Sequence, residues 1–224
     1  MDKTTPNPEE LRQSVTDFYE THGASFASTR LGHWSGFDVV KPFLQSGKLV
    51  VDVGAGNGRL AAQLPEDVPY LGIEPSSSFR AAAPKDTMLI PGGFPILPVH
   101  EGISFTTCCF AVFQHVLPED LEKCRNELIR ITAKDGFIIV TSWLPSFNGM
   151  ETVKGRTEME KWIPWKADAE VGKRYVHCPT LEAWKKLWEV CELEIVQIGY
   201  IDQQGWTEEK EKARNLCVVA KKIL

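Results

Sequence analysis

The sequence predicts an α/β fold in which helices cover both faces of a mostly parallel sheet. Short apolar segments alternate with helical patterns along the chain, as is typical of parallel sheets. A glycine-rich turn follows the first of these segments, and a helix is expected to begin directly after that turn. The seven predicted strands are Lys48–Val53, Tyr70–Glu74, Thr87–Ile90, Ser104–Phe110, Gly136–Thr141, Glu192–Tyr200 and Leu216–Lys221.

The predicted helices begin with an N-terminal helical cap at residues 1–46. Asn7 and Pro8, followed by two acids, form a typical helix start, and apolar residues then recur at helical spacing. A second short helix is predicted at Asp38–Leu44. Later helical patterns cover Pro118–Ile131 and Thr180–Val190.

The remaining organisation is simple. Residues 142–176 are polar and aromatic, and we interpret them as an insertion or lid after the fifth strand. The sequence has no internal repeat, so we expect one domain over residues 1–224.

Composition narrows the class of protein. The net charge of −5 disfavours a surface that grips nucleic acid through many phosphates. The N-terminus is polar, and no apolar segment has the length of a membrane span, so we expect a cytoplasmic protein without membrane contact. The cysteines form no C-x-x-C pair and lie mostly in apolar segments, so we expect reduced thiols and no metal site.

A cofactor site is predicted where the first strand ends. Asp52 precedes a G-x-G-x-G pattern at Gly54, Gly56 and Gly58, which lets a ligand approach the backbone closely. An acid at this position repels a pyrophosphate but suits an ammonium group such as that of S-adenosylmethionine (SAM). Glu74 ends the second strand, where a carboxylate accepts hydrogen bonds from ribose hydroxyls.

These two motifs resemble motifs one and two of class I SAM-dependent methyltransferases. The resemblance implies a Rossmann-like, seven-stranded fold whose last two strands form a reversed C-terminal hairpin. The competing class is an NAD-dependent oxidoreductase, but the chain has no obvious Ser/Tyr/Lys or His/Arg set for that chemistry. The expected SAM contacts are Asp52, Gly54, Ala55, Gly56, Gly58, Glu74, Pro75, Gly93, Phe94, Phe110 and Ala111.

Five further segments resemble the eukaryotic tRNA methyltransferases that esterify 5-carboxymethyluridine at the wobble position. They are SFASTRLGHW (Ser25–Trp34), FAVFQHV (Phe110–Val116), Ile163–Trp165, Arg174–His177 and Asn215–Val219. This resemblance implies tRNA as the substrate and a small zinc-binding activator protein as a partner. The chain departs from the family at Gly93, where an acid that contacts adenine is expected, so backbone groups and Phe94 are expected to replace that contact.

Candidate acceptor residues follow from the chemistry of methylating a carboxylate. The carboxylate is itself the nucleophile, so the site needs a fixed cation and good alignment more than a base. Arg30 is the leading candidate for that cation, and His115, Tyr175 and His177 are further catalytic candidates. The candidate substrate-binding residues are Arg30, Trp34, Trp165, Arg174, Arg214 and Asn215, with Trp162 as a second candidate for stacking on a base.

Two other functions are compatible with the same residues. The acidic charge and the missing adenine-binding acid favour a small-molecule carboxyl- or N-methyltransferase. A degenerate SAM-binding subunit is the third possibility, and the intact Gly54, Gly56, Gly58 and Glu74 argue against it.

Overall fold

The structure, a computed structural model, describes residues 5–29, 34–144, 150–167 and 170–224. The helices in this part of the chain are α1 (Pro8–Ser28), α2 (Ser77–Ala81), α3 (Leu121–Ile131) and α4 (Leu181–Trp188), with short 3₁₀ helices at Ser35–Phe43, Ala61–Gln63, Phe113–His115 and Pro118–Asp120. The strands are β1 (Val50–Val53), β2 (Tyr70–Ile73), β3 (Leu89–Ile90), β4 (Ser104–Phe110), β5 (Thr132–Trp143), β6 (Glu151–Thr152), β7 (Glu160–Ala167), β8 (Glu170–His177), β9 (Leu193–Ile201), β10 (Trp206–Thr207) and β11 (Asn215–Lys222).

The main sheet has the order β10-β9-β11-β5-β4-β1-β2-β3. The five strands from β5 to β3 are parallel, and β11 runs antiparallel between β5 and β9. This confirms the predicted fold class, including the reversed C-terminal part. The sheet has eight strands where seven were predicted, because the two-residue β10 pairs with the end of β9.

Both faces of the sheet are covered. Val51 and Ile138 belong to a core shared with α3 and α4, whereas their neighbours Val50 and Ile139 face the 3₁₀ helix at Ser35–Phe43. Successive residues of a strand point to opposite faces, so strands buried on both sides are mostly apolar along their length. This is why the central strands were predictable from short apolar runs.

The insertion forms a second sheet. Strands β6, β7 and β8 pair antiparallel in that order, and helix α1 packs against β8 and α2. Helix α1 begins as predicted, with Asn7 and Glu10 forming a reciprocal capping box. The helix and the small sheet therefore lie next to each other at one edge of the domain.

The helix expected after the glycine turn is replaced by turns and the 3₁₀ helix Ala61–Gln63. Gly58 has φ of +76°, which is not a helical conformation, and Pro65 disfavours helix at the residue before it. Residues 59–64 remain between them, which limits any helix there to less than about two turns. In the described part of the chain, no helix has the length and apolar character needed to cross a membrane.

Candidate active site

A cavity of about 890 Å³ opens at the carboxyl ends of the central parallel strands. It lies beside β1, β2 and β4, where the chain order of the sheet reverses, the usual position of ligands in open α/β sheets. Side chains of α1 cover it from the other side, among them Tyr19 and Phe26. The sheet edge and the N-terminal helix therefore build the site together.

The structure brings most of the predicted site residues to this cavity. Those that line it are Trp34, Asp52, Gly54, Ala55, Gly56, Glu74, Pro75, Gly93, Phe94, Phe110, Ala111, His115, Arg174, Arg214 and Asn215. The described lining does not include Gly58, Trp165, Tyr175 or His177. Arg30, the leading candidate for the carboxylate clamp, lies outside the described residues.

The glycine turn forms the floor of the cavity. Gly54 has φ of +73°, and a Cβ built there would lie 2.3 Å from Cγ2 of Val112. Gly56 has φ of +57°, a conformation that L-residues rarely adopt, with only the Phe79 ring near its position. The turn therefore depends on glycine and exposes backbone to a ligand.

Glu74 joins the second strand to the glycine turn. Its carboxylate accepts hydrogen bonds from the backbone N–H of Gly56 (2.8 Å) and of Ser76 (2.9 Å), one on each oxygen. Each oxygen keeps a second lone pair for a ligand. Burial raises the pKa of Glu74, although the two backbone N–H groups favour its charged form.

Asp52 places a second carboxylate in the cavity wall. Its side chain is 3% exposed, and it accepts a hydrogen bond of 3.0 Å from the Tyr70 hydroxyl. Burial, with a smaller contribution from Glu74, raises its pKa from 3.8 to about 7, against the opposing effect of Tyr70. A cationic ligand group next to Asp52 would stabilise its charged form, so the position fits an ammonium group.

His115 is held by two hydrogen bonds within the protein. Nδ1 lies 2.9 Å from the carbonyl oxygen of Tyr175 and therefore donates to it. Nε2 lies 2.8 Å from the hydroxyl oxygen of Tyr19 and accepts its proton in a hydrogen bond. Burial and the nearby Arg174 lower its pKa to about 3. His115 is thus a neutral residue that connects helix α1 with β8.

Arg174 is the most buried of the described cationic residues that line the cavity. Its side chain is 5% exposed, and its guanidinium lies over three aromatic rings, with centroids at 4.6 Å (Phe18), 5.5 Å (Phe26) and 5.8 Å (Tyr19). Nε and Nη1 are buried without a hydrogen-bond partner among the described residues. Such an arrangement is complementary to an anionic ligand.

The predicted residues outside the lining have other contacts. The Tyr175 hydroxyl donates to Glu160 (2.8 Å), and its side chain is fully buried. The Trp165 ring packs on Phe26 at 4.9 Å between centroids, and His177 is buried with Nδ1 unpartnered among the described residues. Trp162 lies next to Lys173, whose Nζ is 4.7 Å from the ring centroid.

Sequence reasoning missed several residues of the cavity. Tyr19, Arg59, Trp143, Asp202 and Gln203 line it but were not predicted. Tyr19 and Phe18 were available as an aromatic pair on the predicted N-terminal helix, but nothing local indicated that this helix faces the glycine turn. Asp202 lies in the turn after β9, where only the fold brings it to the site.

Comparison with known proteins agrees with this geometry. A family model described as a methyltransferase domain matches residues 51–140. The tRNA (carboxymethyluridine(34)-5-O)-methyltransferase of Arabidopsis thaliana is 26% identical over an alignment of 176 residues that covers 74% of this chain. The chain spans about two fifths of the length of that relative, since the match covers 39% of it.

Solved structures share the fold at low identity. A Burkholderia thailandensis 1,6-didemethyltoxoflavin-N1-methyltransferase, solved with its acceptor and S-adenosylhomocysteine, has a TM-score of 0.69 at 11% identity, covering 100% of this chain and 94% of its own. A complex of the Haloferax volcanii Trm112 activator with a methyltransferase has 0.66 at 14%, covering 94% and 98%. The [4+2]-cyclase SpnF has 0.69 at 14%, covering 98% of each chain.

The strand order, the glycine turn with its two acids and the family match define a class I SAM-dependent methyltransferase domain, with SAM as its cofactor. Within that class, the chain resembles the tRNA carboxymethyluridine methyltransferases. The cavity fits the cofactor because glycine backbone, a buried acid for an ammonium group and an acid for ribose hydroxyls all line it.

Proposed function

We propose that this protein transfers a methyl group from SAM to the carboxylate of 5-carboxymethyluridine at the wobble position of a tRNA. The Arabidopsis thaliana relative carries this activity in its name. Its low identity and greater length leave the acceptor to be argued from the site itself. We also propose a cytoplasmic location, where tRNA is available.

The burial of Arg174 without an acidic partner among the described residues supports a carboxylate as the methyl acceptor. A buried guanidinium without an acidic partner in the described chain is costly unless the ligand supplies a negative charge. A carboxylate does so, and its planar shape matches the guanidinium fork. A neutral amine acceptor would leave this cost in place.

The mechanism requires positioning more than proton transfer. SAM, when bound, supplies an electrophilic methyl group on a positively charged sulfur. Asp52 and Glu74 are placed to hold the ammonium and ribose ends of the cofactor, and Arg174 to orient the acceptor. His115, which is neutral and has both nitrogens occupied, is not needed as a base, because a carboxylate has no proton to lose.

A small-molecule carboxyl- or N-methyltransferase is the second candidate. The net charge of −5 favours it, since a protein that binds RNA alone usually presents many cations to phosphates. A degenerate SAM-binding subunit is the third candidate. It receives less support, because the glycine turn and both cofactor acids are intact.

We also propose that a partner protein binds this chain at the edge of the main sheet. The edge strand β3 has two residues and leaves the sheet open on that side, and Met88 (63% exposed) and Ile96 (78% exposed) lie close to it in sequence. An open edge with apolar neighbours is suited to strand pairing with another chain. The proposed partner is a small zinc-binding activator, which would also add surface for RNA; the Haloferax volcanii neighbour was solved in complex with the Trm112 methyltransferase activator.

The decisive experiment is transfer of radiolabel from SAM to an anticodon stem-loop. The stem-loop carries 5-carboxymethyluridine, and the matched control carries unmodified uridine at the same position. We expect label only on the modified stem-loop, in a form that mild alkali releases as methanol, as an ester requires. Label on a metabolite panel but never on the stem-loop, with the activator supplied, would select the small-molecule function.

A further inference from the structure

We propose that Arg174 determines which charge the second ligand of the cavity must carry. It disfavours the sulfonium cofactor when that binds alone, favours an anionic acceptor beside it, and does not retain the neutral ester that the reaction forms. This inference rests on the proposed function for the identity of the acceptor. The effect on the cofactor does not depend on that identity.

Without ligands, Arg174 is a buried cation that packs against aromatic rings. Its guanidinium is held by the rings of Phe18, Tyr19 and Phe26, which offset only part of the cost of burying a cation. No carboxylate in the described part of the chain forms an ion pair with it. Within the described residues, the wall of the cavity therefore holds a positive charge without an ion-pair partner.

The other charges of the cavity do not cancel this one. Asp52 and Glu74 belong to the glycine-turn wall, where Tyr70 and backbone N–H groups already bind them. Asp202 also lines the cavity, but its carboxylate accepts from the backbone of its own turn. Arg214 lines it too and is exposed, so solvent screens its charge.

His115 and Arg59 are two further ionisable groups that line the cavity. His115 is neutral, because burial and Arg174 lower its pKa to about 3, and both of its ring nitrogens have protein partners. Arg59 lines the cavity with its guanidinium near the Phe37 ring, at 5.9 Å from the centroid. Among the described residues, no side chain supplies a negative charge that balances Arg174, and a bound anion would supply it.

The reaction removes that balancing charge. A carboxylate oxygen of the acceptor forms a bond to the methyl carbon while the carbon–sulfur bond breaks, and the electron pair of that bond stays on sulfur. No proton moves, and the negative carboxylate and positive sulfonium disappear together. Arg174 then faces a neutral ester and a neutral thioether, so its attraction for the acceptor is lost in the step that forms the product.

The first test compares SAM with S-adenosylhomocysteine, which lacks the methyl group and its positive charge. Calorimetry gives the Kd of each for the wild type, for Arg174→Gln, which removes the charge, and for the matched control Arg174→Lys, which keeps it. Because like charges repel across a protein cavity, we expect Arg174→Gln to strengthen SAM binding about fivefold relative to S-adenosylhomocysteine binding. Arg174→Lys should leave the ratio of the two Kd values unchanged. A ratio unchanged in a Gln variant that still binds S-adenosylhomocysteine would overturn the proposal.

The second test uses the wild type and does not depend on the folding of any variant. SAM is titrated in the presence of excess 5-carboxymethyluridine or of its methyl ester, which differ in charge. We expect the acid to tighten SAM binding several-fold and the ester to leave it unchanged. Equal effects of acid and ester would refute the role of Arg174. If neither nucleoside changes SAM binding, the stem-loop assay decides the acceptor, and the SAM to S-adenosylhomocysteine ratio decides the role of Arg174.

Discussion

Replacing Asp52 with asparagine should stabilise the protein and weaken its cofactor site. Asn has nearly the same shape and keeps an oxygen that accepts from the Tyr70 hydroxyl. It removes a carboxylate that is 3% exposed and whose pKa burial raises from 3.8 to about 7. The folded state thus holds this acid in an environment that disfavours its charge.

The size of the effect follows from linkage. At about 1.4 kcal/mol per pKa unit, the interval from 3.8 to about 7 corresponds to about 4 kcal/mol. Below pH 3.8 the acid is protonated in both states and costs nothing. Stability is then lost as pH rises toward 7, because the unfolded chain ionises first, and above pH 7 the full cost is present.

Urea unfolding at pH 5 and pH 8 measures this effect without cofactor. We expect Asp52→Asn to be more stable than the wild type at both values, with the larger difference at pH 8. Glu66→Gln is the matched control, because it removes an exposed acid and should change little at either pH. A difference that does not grow with pH would refute the burial argument.

Calorimetry at pH 8 tests the functional half of the same prediction. The wild-type carboxylate is ionised there and can pair with the ammonium group of SAM. We expect Asp52→Asn to bind SAM at least about tenfold more weakly, since a charge-assisted hydrogen bond contributes roughly 1.5–3 kcal/mol. Unchanged affinity in the stabilised variant would remove Asp52 from the ammonium role.

Three further substitutions test individual residues. Glu74→Ala should weaken SAM binding through loss of two hydrogen bonds to the ribose, each worth roughly 1.5–3 kcal/mol, and unchanged affinity by calorimetry would exclude that role. Arg30→Lys should lower methyl transfer while the Kd of SAM stays constant, because an ammonium does not replace the planar guanidinium, and a fully active variant would contradict the clamp. Trp165→Ala should lower transfer to the modified stem-loop more than it lowers SAM affinity, by roughly 1–3 kcal/mol if the ring stacks on a base, and equal loss of both would indicate packing alone.

The parts of the fold that were predictable are those with a local cause. Strand β4 was located at both ends, Ser104 and Phe110, because its run of small, β-branched and aromatic residues without a charge is typical of a strand buried on both faces. Strands β7 and β8 were not predicted. They carry Pro164, Lys161 and Lys173, and their partner is helix α1, so no apolar run marks them.

The candidate site likewise contains residues that a local motif predicts and residues that only the tertiary fold brings together. The glycines and the acids Asp52 and Glu74 were found because strand, turn and ligand chemistry are encoded within a few residues. The ring contacts of Arg174 were not, because the residues concerned lie about 150 positions apart in the sequence. Tyr19 entered the site only through the packing of α1, which no spacing in the sequence reveals.

Similarity of fold does not identify the methyl acceptor. A [4+2]-cyclase shares this fold as closely as a methyltransferase does, so the fold alone does not fix the chemistry. The cofactor residues lie within residues 51–140, the segment that the methyltransferase-domain model matches, whereas Trp34, Arg174 and Arg214 lie outside it. We therefore expect the helical cap, the insertion and the C-terminal strands to decide the acceptor, and variants at Trp34, Arg174 and Arg214 to separate one methyl acceptor from another.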